Sequence, residues 1–287
     1  MDLKLKKIDP LVIFNEGTEK NSTIVMIHPI GGQIHWYKEI AKLFDKSISI
    51  YATVSPNFLV PDAPWLSVVE MAGLYASSIL EKSGIKRYVI VGWSFGCEIA
   101  FEVVKQLAKN SIDTSLVLLD PQVMLENTKL LICLCEVISK EYNLHVQPDD
   151  PTFQLTDFNS ETLDIFVLDF INRMEVIGII KTTYKKYYIT AVRVYLYNLY
   201  AMMQYNRTGF VQEALLLKAE MSQDVFFSFM KQASKNDWLP HVNLIKEVTV
   251  LGNHYSMLND LSAQYIVSEI HQYFFNELVC GTTLTES

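Results

Sequence analysis

Cysteine is scarce in this chain, with four in 287 residues, and the four fall at no paired metal-ligand spacing. Cys97, Cys133, Cys135 and Cys280 therefore read as core or surface thiols, not as a disulfide framework or a zinc site. Positive charge is also short: 24 Lys and Arg stand against 32 Asp and Glu, and no polybasic tract occurs. A net charge of −8 is a poor match for a phosphate backbone or an anionic lipid surface, which argues against nucleic-acid and membrane partners. Long apolar runs are missing as well. Met1 leads into Asp2-Leu3-Lys4-Leu5-Lys6-Lys7, which offers no signal-peptide core. The most apolar middle stretch, Ile165 to Ile180, is interrupted by Asp169, Asn172, Arg173 and Glu175, which a spanning helix would have to bury in lipid. A cytoplasmic protein is expected.

Half of the composition is hydrophobic, enough for one large α/β domain or one carrying a sizeable insertion. Short apolar runs at Ile24–Ile27, Ile48–Val54, Tyr88–Val91, Leu116–Leu119, Ala214–Lys218 and Val248–Leu251 read as buried parallel strands. Segments of helical length and period, Ile34–Phe44, Ser67–Ser83 and Glu98–Lys109, lie between them. Ser67 followed by Glu70 predicts a capping box. This is the βαβ alternation of a doubly wound sheet. The rhythm stops at Asp120. From Val123 to about Arg207 only helix-like segments are found, at Lys129–Tyr142, Ser160–Ile180 and Tyr184–Gln204, with the turn-rich Gln147–Pro151 between them. The segment is too apolar to stay unfolded, so it reads as a helical lid. The expected organisation is core 1–122, helical lid insertion 123–209, core 210–280, and a frayed tail 281–287.

Gly92-Trp93-Ser94-Phe95-Gly96 ends one predicted strand and opens a helix, the setting that a nucleophile elbow requires. That turn is tight enough to need small residues two positions either side of the serine, and it lifts Oγ to the helix N-terminus. A serine hydroxyl is a weak nucleophile and needs a base oriented by a carboxylate. Of six histidines, His254 follows the last predicted strand and so reaches the same carboxyl edge as Ser94, and it comes last in chain order. His145, His241 and His271 fall in or beside helical segments, and His28, at a strand end, reads as structural. For the acid, Asp120 ends the strand Leu116–Leu119. Glu220 and Asp224, after Ala214–Lys218, are equally placed, so the residues alone leave the choice open. The oxyanion requires two donors: the elbow offers the N–H of Phe95, and the loop His28-Pro29-Ile30-Gly31-Gly32 offers that of Ile30.

These motifs, together with Asp9-Pro10-Leu11-Val12 and Gly252-Asn253-His254-Tyr255-Ser256-Met257-Leu258, resemble the thioesterase domains of non-ribosomal peptide and polyketide synthases, relatives of fatty-acid synthase thioesterases. The resemblance runs from about Pro10 to His271 and is weakest in the lid. It implies an α/β-hydrolase fold, with a mostly parallel central sheet flanked by helices. It also favours Asp120 as the acid and implies a Ser94 acyl-enzyme. The substrate would be an acyl, polyketide or peptidyl chain presented on the phosphopantetheine arm of an acyl or peptidyl carrier protein, with no cofactor of the enzyme's own. Release would be by hydrolysis or cyclisation, and the runner-up readings are a discrete editing thioesterase and a carboxylesterase or lipase with the same triad. Cys97 stands where many members have glycine or alanine; lying past the turn, it leaves the elbow intact. In the lid, Tyr184, Tyr188 and Tyr195 share a helical face and are candidate substrate-channel residues, with Met202 and Met203 as adaptable wall. Lys181, Lys185, Lys186 and Arg193 give the same segment a basic edge that reads as a solvated face, with carrier docking as the alternative.

Overall fold

Val, Ile and Leu fill the predicted strands without alternation, which suits a sheet covered on both faces. The computed structural model describes residues 8–61, 63–82, 85, 87–125, 136, 160–176, 178, 180–221 and 229–275. Its main sheet has seven strands: β1 (Leu11–Asn15), β2 (Glu19–Ile27), β3 (Ile48–Thr53), β4 (Arg87–Trp93), β5 (Asp113–Leu119), β7 (Val211–Ala219) and β9 (Val242–Val250). Their spatial order is β1-β3-β2-β4-β5-β7-β9. β1 runs antiparallel to β3, and every other pair is parallel. From β2 the chain steps to one side, to β3, and then returns across β2 to β4. The order therefore reverses between β2 and β4, and the crevice above their carboxyl ends is where an open α/β sheet binds ligands. The loop His28–Gly32 follows β2, and Ser94 follows β4.

Helices cover both faces. One face carries α3 (Val68–Leu80) and α4 (Gly96–Ala108); the other carries α1 (Lys38–Lys42) and, near the C-terminus, α8 (Asp260–Phe274). The capping box forms: the Glu70 N–H donates to Ser67 Oγ at 3.3 Å, and the Ser67 N–H donates to Glu70 Oε2 at 2.8 Å. The helix expected over Ile34–Phe44 is shorter, a 3₁₀ turn at His35–Tyr37 followed by α1. Between these come the short α2 (Pro56–Leu59) and, before β9, the one-turn α7 (Lys235–Trp238).

Two helices, α5 (Ser160–Val176) and α6 (Lys185–Gln204), occupy the stretch between β5 and β7, as their periodicity predicts. Their apolar faces, including Leu163, Phe170, Leu196 and Leu199, join the same core cluster as the α3/α4 face of the sheet. The predicted helix Lys129–Tyr142 and the turn Gln147–Pro151 lie outside the described residues. The region read as free of strands from Val123 does hold one. β6 (Gln122–Met124) pairs antiparallel with β8 (Met230–Gln232) in a two-stranded ribbon apart from the main sheet. Three residues are too few to carry a strand period, so the ribbon left no pattern to read. Among the described residues no helix is long and apolar enough to cross a membrane.

Candidate active site

Ser94 has φ +58°, a conformation costly for a residue with a side chain, and it is 8% exposed. The strained turn is enforced from both sides. Its N–H donates to Leu119 O at 3.0 Å across to β5, and its carbonyl accepts from the Cys97 N–H at 3.1 Å. A Cβ at Gly92 would stand 2.4 Å from Gly96 O, and one at Gly96 would stand 2.7 Å from the carbonyl oxygens of Ile27 and His28. The two glycines are therefore steric requirements of the elbow. Phe95 caps α4, whose first N–H groups have no partner within the helix. Cys97 fits beneath the turn fully buried; its thiol donates to Gly92 O at 3.2 Å, and burial pushes its pKa well up, so it is a packing group and no nucleophile.

His254 and Asp120 meet. His254 Nδ1 lies 2.6 Å from Asp120 Oδ2. A carboxylate only accepts, so Nδ1 carries the proton and Nε2 is left as the basic nitrogen. The imidazole stacks on Trp93 at 5.0 Å, and Trp93 Nε1 donates to His254 O at 3.1 Å, so the residue before Ser94 holds the histidine by ring and backbone. Tyr255 meets the same imidazole edge-on at 5.3 Å. Asp120 is 1% exposed and sits at φ +43°, in the left-handed region that aspartate tolerates better than most residues. Besides His254, three donors reach its carboxylate: the Ala219 N–H at 2.9 Å, Gln122 Nε2 at 3.2 Å, and Gln232 Nε2. Both glutamines come from the β6–β8 ribbon, which had no sequence signal; they are the site residues that sequence reasoning missed. Among the alternative acids, Glu220 is exposed and donates its N–H to Val250 O at 2.8 Å, and Asp224 lies outside the described residues.

The early loop is a closed turn in which the Gly32 N–H donates to Pro29 O at 2.9 Å. His28 is fully buried beneath it. Its Nδ1 donates to Pro29 O at 2.8 Å, and its Nε2 accepts from the Tyr75 O–H at 2.6 Å. Burial pushes the His28 pKa down to about 4 and raises that of Tyr75 well above the usual phenol, so the imidazole stays neutral and the hydroxyl keeps its proton. Gly32 has φ +74°.

The remaining candidates are more dispersed. Tyr184 is 58% exposed in the 3₁₀ turn before α6, whereas Tyr188 and Tyr195 are half-buried against the main core. Met202 is buried and Met203 half-buried. In the basic edge, Lys185 pairs with Glu175 at 2.6 Å and Arg193 with Asp164 at 2.7 Å, while Lys181 and Lys186 are exposed. His241 packs edge-on to Phe101 and His271 stacks on Phe275; His145 lies outside the described residues. Among the described residues no cluster of three or more His, Cys, Asp or Glu side chains is placed to hold a metal ion.

A family comparison matches this frame at its first half, from β2 past Asp120. Residues 22–129 match the thioesterase domain family. The chain is similar to the nonribosomal peptide synthetase pngA of Aspergillus terreus (strain NIH 2624 / FGSC A1156), 29% identical over 140 residues, which are 48% of this chain and 14% of that protein. It thus spans only about a seventh of that relative. Among solved structures, it is similar to the holo form of AB3403, a four-domain nonribosomal peptide synthetase bound to AMP and glycine. There the TM-score is 0.70 and identity 21%, covering 92% of this chain and 20% of that one. It is also similar to YbtT, a type II thioesterase from a yersiniabactin NRPS/PKS pathway, with TM-score 0.60 and 15% identity over 92% of this chain and 98% of that one. The fold is that of thioesterase domains of the α/β-hydrolase type.

Proposed function

We propose that the chain is a serine thioesterase that releases an acyl, polyketide or peptidyl chain from the phosphopantetheine arm of a carrier protein. The observation that carries this reading is the meeting of the His254–Asp120 pair with the strained Ser94 elbow through Trp93. In this scheme Ser94 Oγ attacks the thioester carbon and passes its proton to His254 Nε2, while Asp120 holds the imidazole in the tautomer that can accept it. The tetrahedral oxyanion accepts from the N–H groups of Phe95 and Ile30. His254 then protonates the departing thiol, leaving an acyl ester on Ser94. Water, or a nucleophile within the acyl chain itself, gives its proton to His254 and attacks that ester, freeing Ser94. Residues 123–209 act as the lid, and Tyr184, Tyr188 and Tyr195 contribute to its substrate-facing wall.

The test pairs turnover with trapping. Wild-type protein should hydrolyse an acyl-pantetheine thioester faster than the matched oxygen ester, and Ser94→Ala should lower kcat by about 10⁴-fold or more. Intact-mass measurement of a His254→Ala variant incubated with candidate thioesters should find one acyl adduct, which maps to Ser94. Turnover undiminished in Ser94→Ala removes the reading, and preference for the oxygen ester favours a carboxylesterase.

A further inference from the structure

The Ile30 peptide is held from two different parts of the chain. On its N-terminal side, Pro29 O accepts from His28 Nδ1 and from the Gly32 N–H, and Tyr75 of α3 backs the imidazole. The carbonyl and N–H of a planar trans peptide point in opposite directions, so fixing Pro29 O aims the Ile30 N–H. These partners all belong to the first half of the core. On the C-terminal side, Ile30 O accepts a 2.7 Å bond from Nδ2 of Asn198, which is on α6 and 3% exposed. Two further contacts seat α6 on this loop. Gln33 Nε2 donates to Tyr187 Oη at 2.7 Å, and a Cβ at Gly32 would stand 2.5 Å from Val194 Cγ1. Asn198, Val194 and Tyr187 recur at steps of four and seven, so they form one stripe of the helix. Val194 and Asn198 are buried while Tyr187, at the far end, is exposed.

We infer that Asn198 is a positioning residue through which helix α6 sets the oxyanion-binding form of the Ile30 turn, making acyl transfer depend on how that helix is seated. This rests on the proposed Ser94 chemistry. The substrate-facing helix and the oxyanion loop then share a buried hydrogen bond: lifting α6 removes the acceptor's partner, frees the Ile30–Gly31 peptide to rotate, and disorders the donor beside it. Shape, loop sterics and the His28 hold all remain, so the effect belongs to the transition state and not to ground-state binding.

The experiment uses the full chain with Asn198→Leu, which keeps the volume and loses the donor, and Asn198→Asp, which sets an oxygen against Ile30 O. An acyl-pantetheine thioester is turned over, and fluorophosphonate titration counts the competent Ser94 sites. Per titrated site, kcat should fall about tenfold or more in both variants, short of the 10²–10³ that follows outright loss of an oxyanion donor, with KM within twofold. A kcat per site equal to wild type overturns the inference, as does a loss carried by KM. If neither variant folds, hydrogen exchange on wild type decides: segments 28–33 and 187–198 should open together, and independent opening overturns the inference. A wild type that neither turns over nor titrates, or that does both equally as Ser94→Ala, instead sinks the underlying thioesterase reading.

Discussion

At Gly96 a single methyl group meets two backbone carbonyl oxygens at 2.7 Å, and backbone cannot swing aside as a flexible side chain can. Gly96→Ala is therefore expected to destabilise the fold by about 3 kcal/mol, with loss of fluorophosphonate labelling at Ser94. Chemical denaturation and labelling measured together check this; a stable, fully labelled variant contradicts the steric account. Residue-level chemistry of this kind was legible in the sequence, because the requirement is local. The glycine–serine–glycine spacing encodes a turn whose constraints act within five positions. His254 and Asp120 were legible for a related reason: each ends a strand whose apolar run was plain, and parallel strands deliver their C-terminal residues to one edge. The choice of Asp120 over Glu220 was not readable from spacing. It turns on which strand end faces the histidine, a three-dimensional fact that only the family resemblance anticipated.

Elements of three residues escape sequence reading altogether, and here one such element reaches the site. The ribbon β6–β8 aims Gln122 and Gln232 at Asp120, pairing segments far apart in the chain. Replacing Gln232 by Leu should remove a donor from a buried carboxylate, loosen the His254–Asp120 geometry and lower kcat about tenfold with little change in KM. Steady-state kinetics on a small acyl thioester would measure it, and an unchanged kcat would make the ribbon a mere scaffold. Edge strand β1 was missed as well, since five half-exposed residues give neither a continuous apolar run nor clean alternation. The long elements fared better. α3, α4, α5 and α6 were each readable from period and caps, because many turns repeat the same signal.

At the scale of the whole molecule, one core cluster runs from the sheet through α3 and α4 into α5 and α6. Buried charge ties the same face together. Arg207, just after α6, pairs with Glu98 of α4, its Nε 3.1 Å from Oε2, and lies 3.6 Å over the Trp238 ring. His28 sits within this shared interior, and its burial couples stability to pH. The unfolded imidazole takes up a proton near 6.5, the folded one only near 4. Between these values the unfolded state holds more protons, so the favourable term is whole above pH 6.5 and is lost as pH falls toward 4, a change of about 3 kcal/mol. Urea denaturation of wild type and His28→Asn at pH 7.5 and 4.5 should show a shallower acid loss in the variant. Equal slopes would place the acid sensitivity elsewhere.

Asp120 takes one of its bonds from the main chain, the Ala219 N–H at the end of β7. No side-chain replacement other than proline can delete that donor. A mutational survey of the protein would therefore score position 219 as permissive so long as small residues fit, and would credit the support of the acid wholly to the two glutamines. The same arrangement lets the end of β7 drift in sequence while still serving the triad, so the position is functionally engaged yet free to vary.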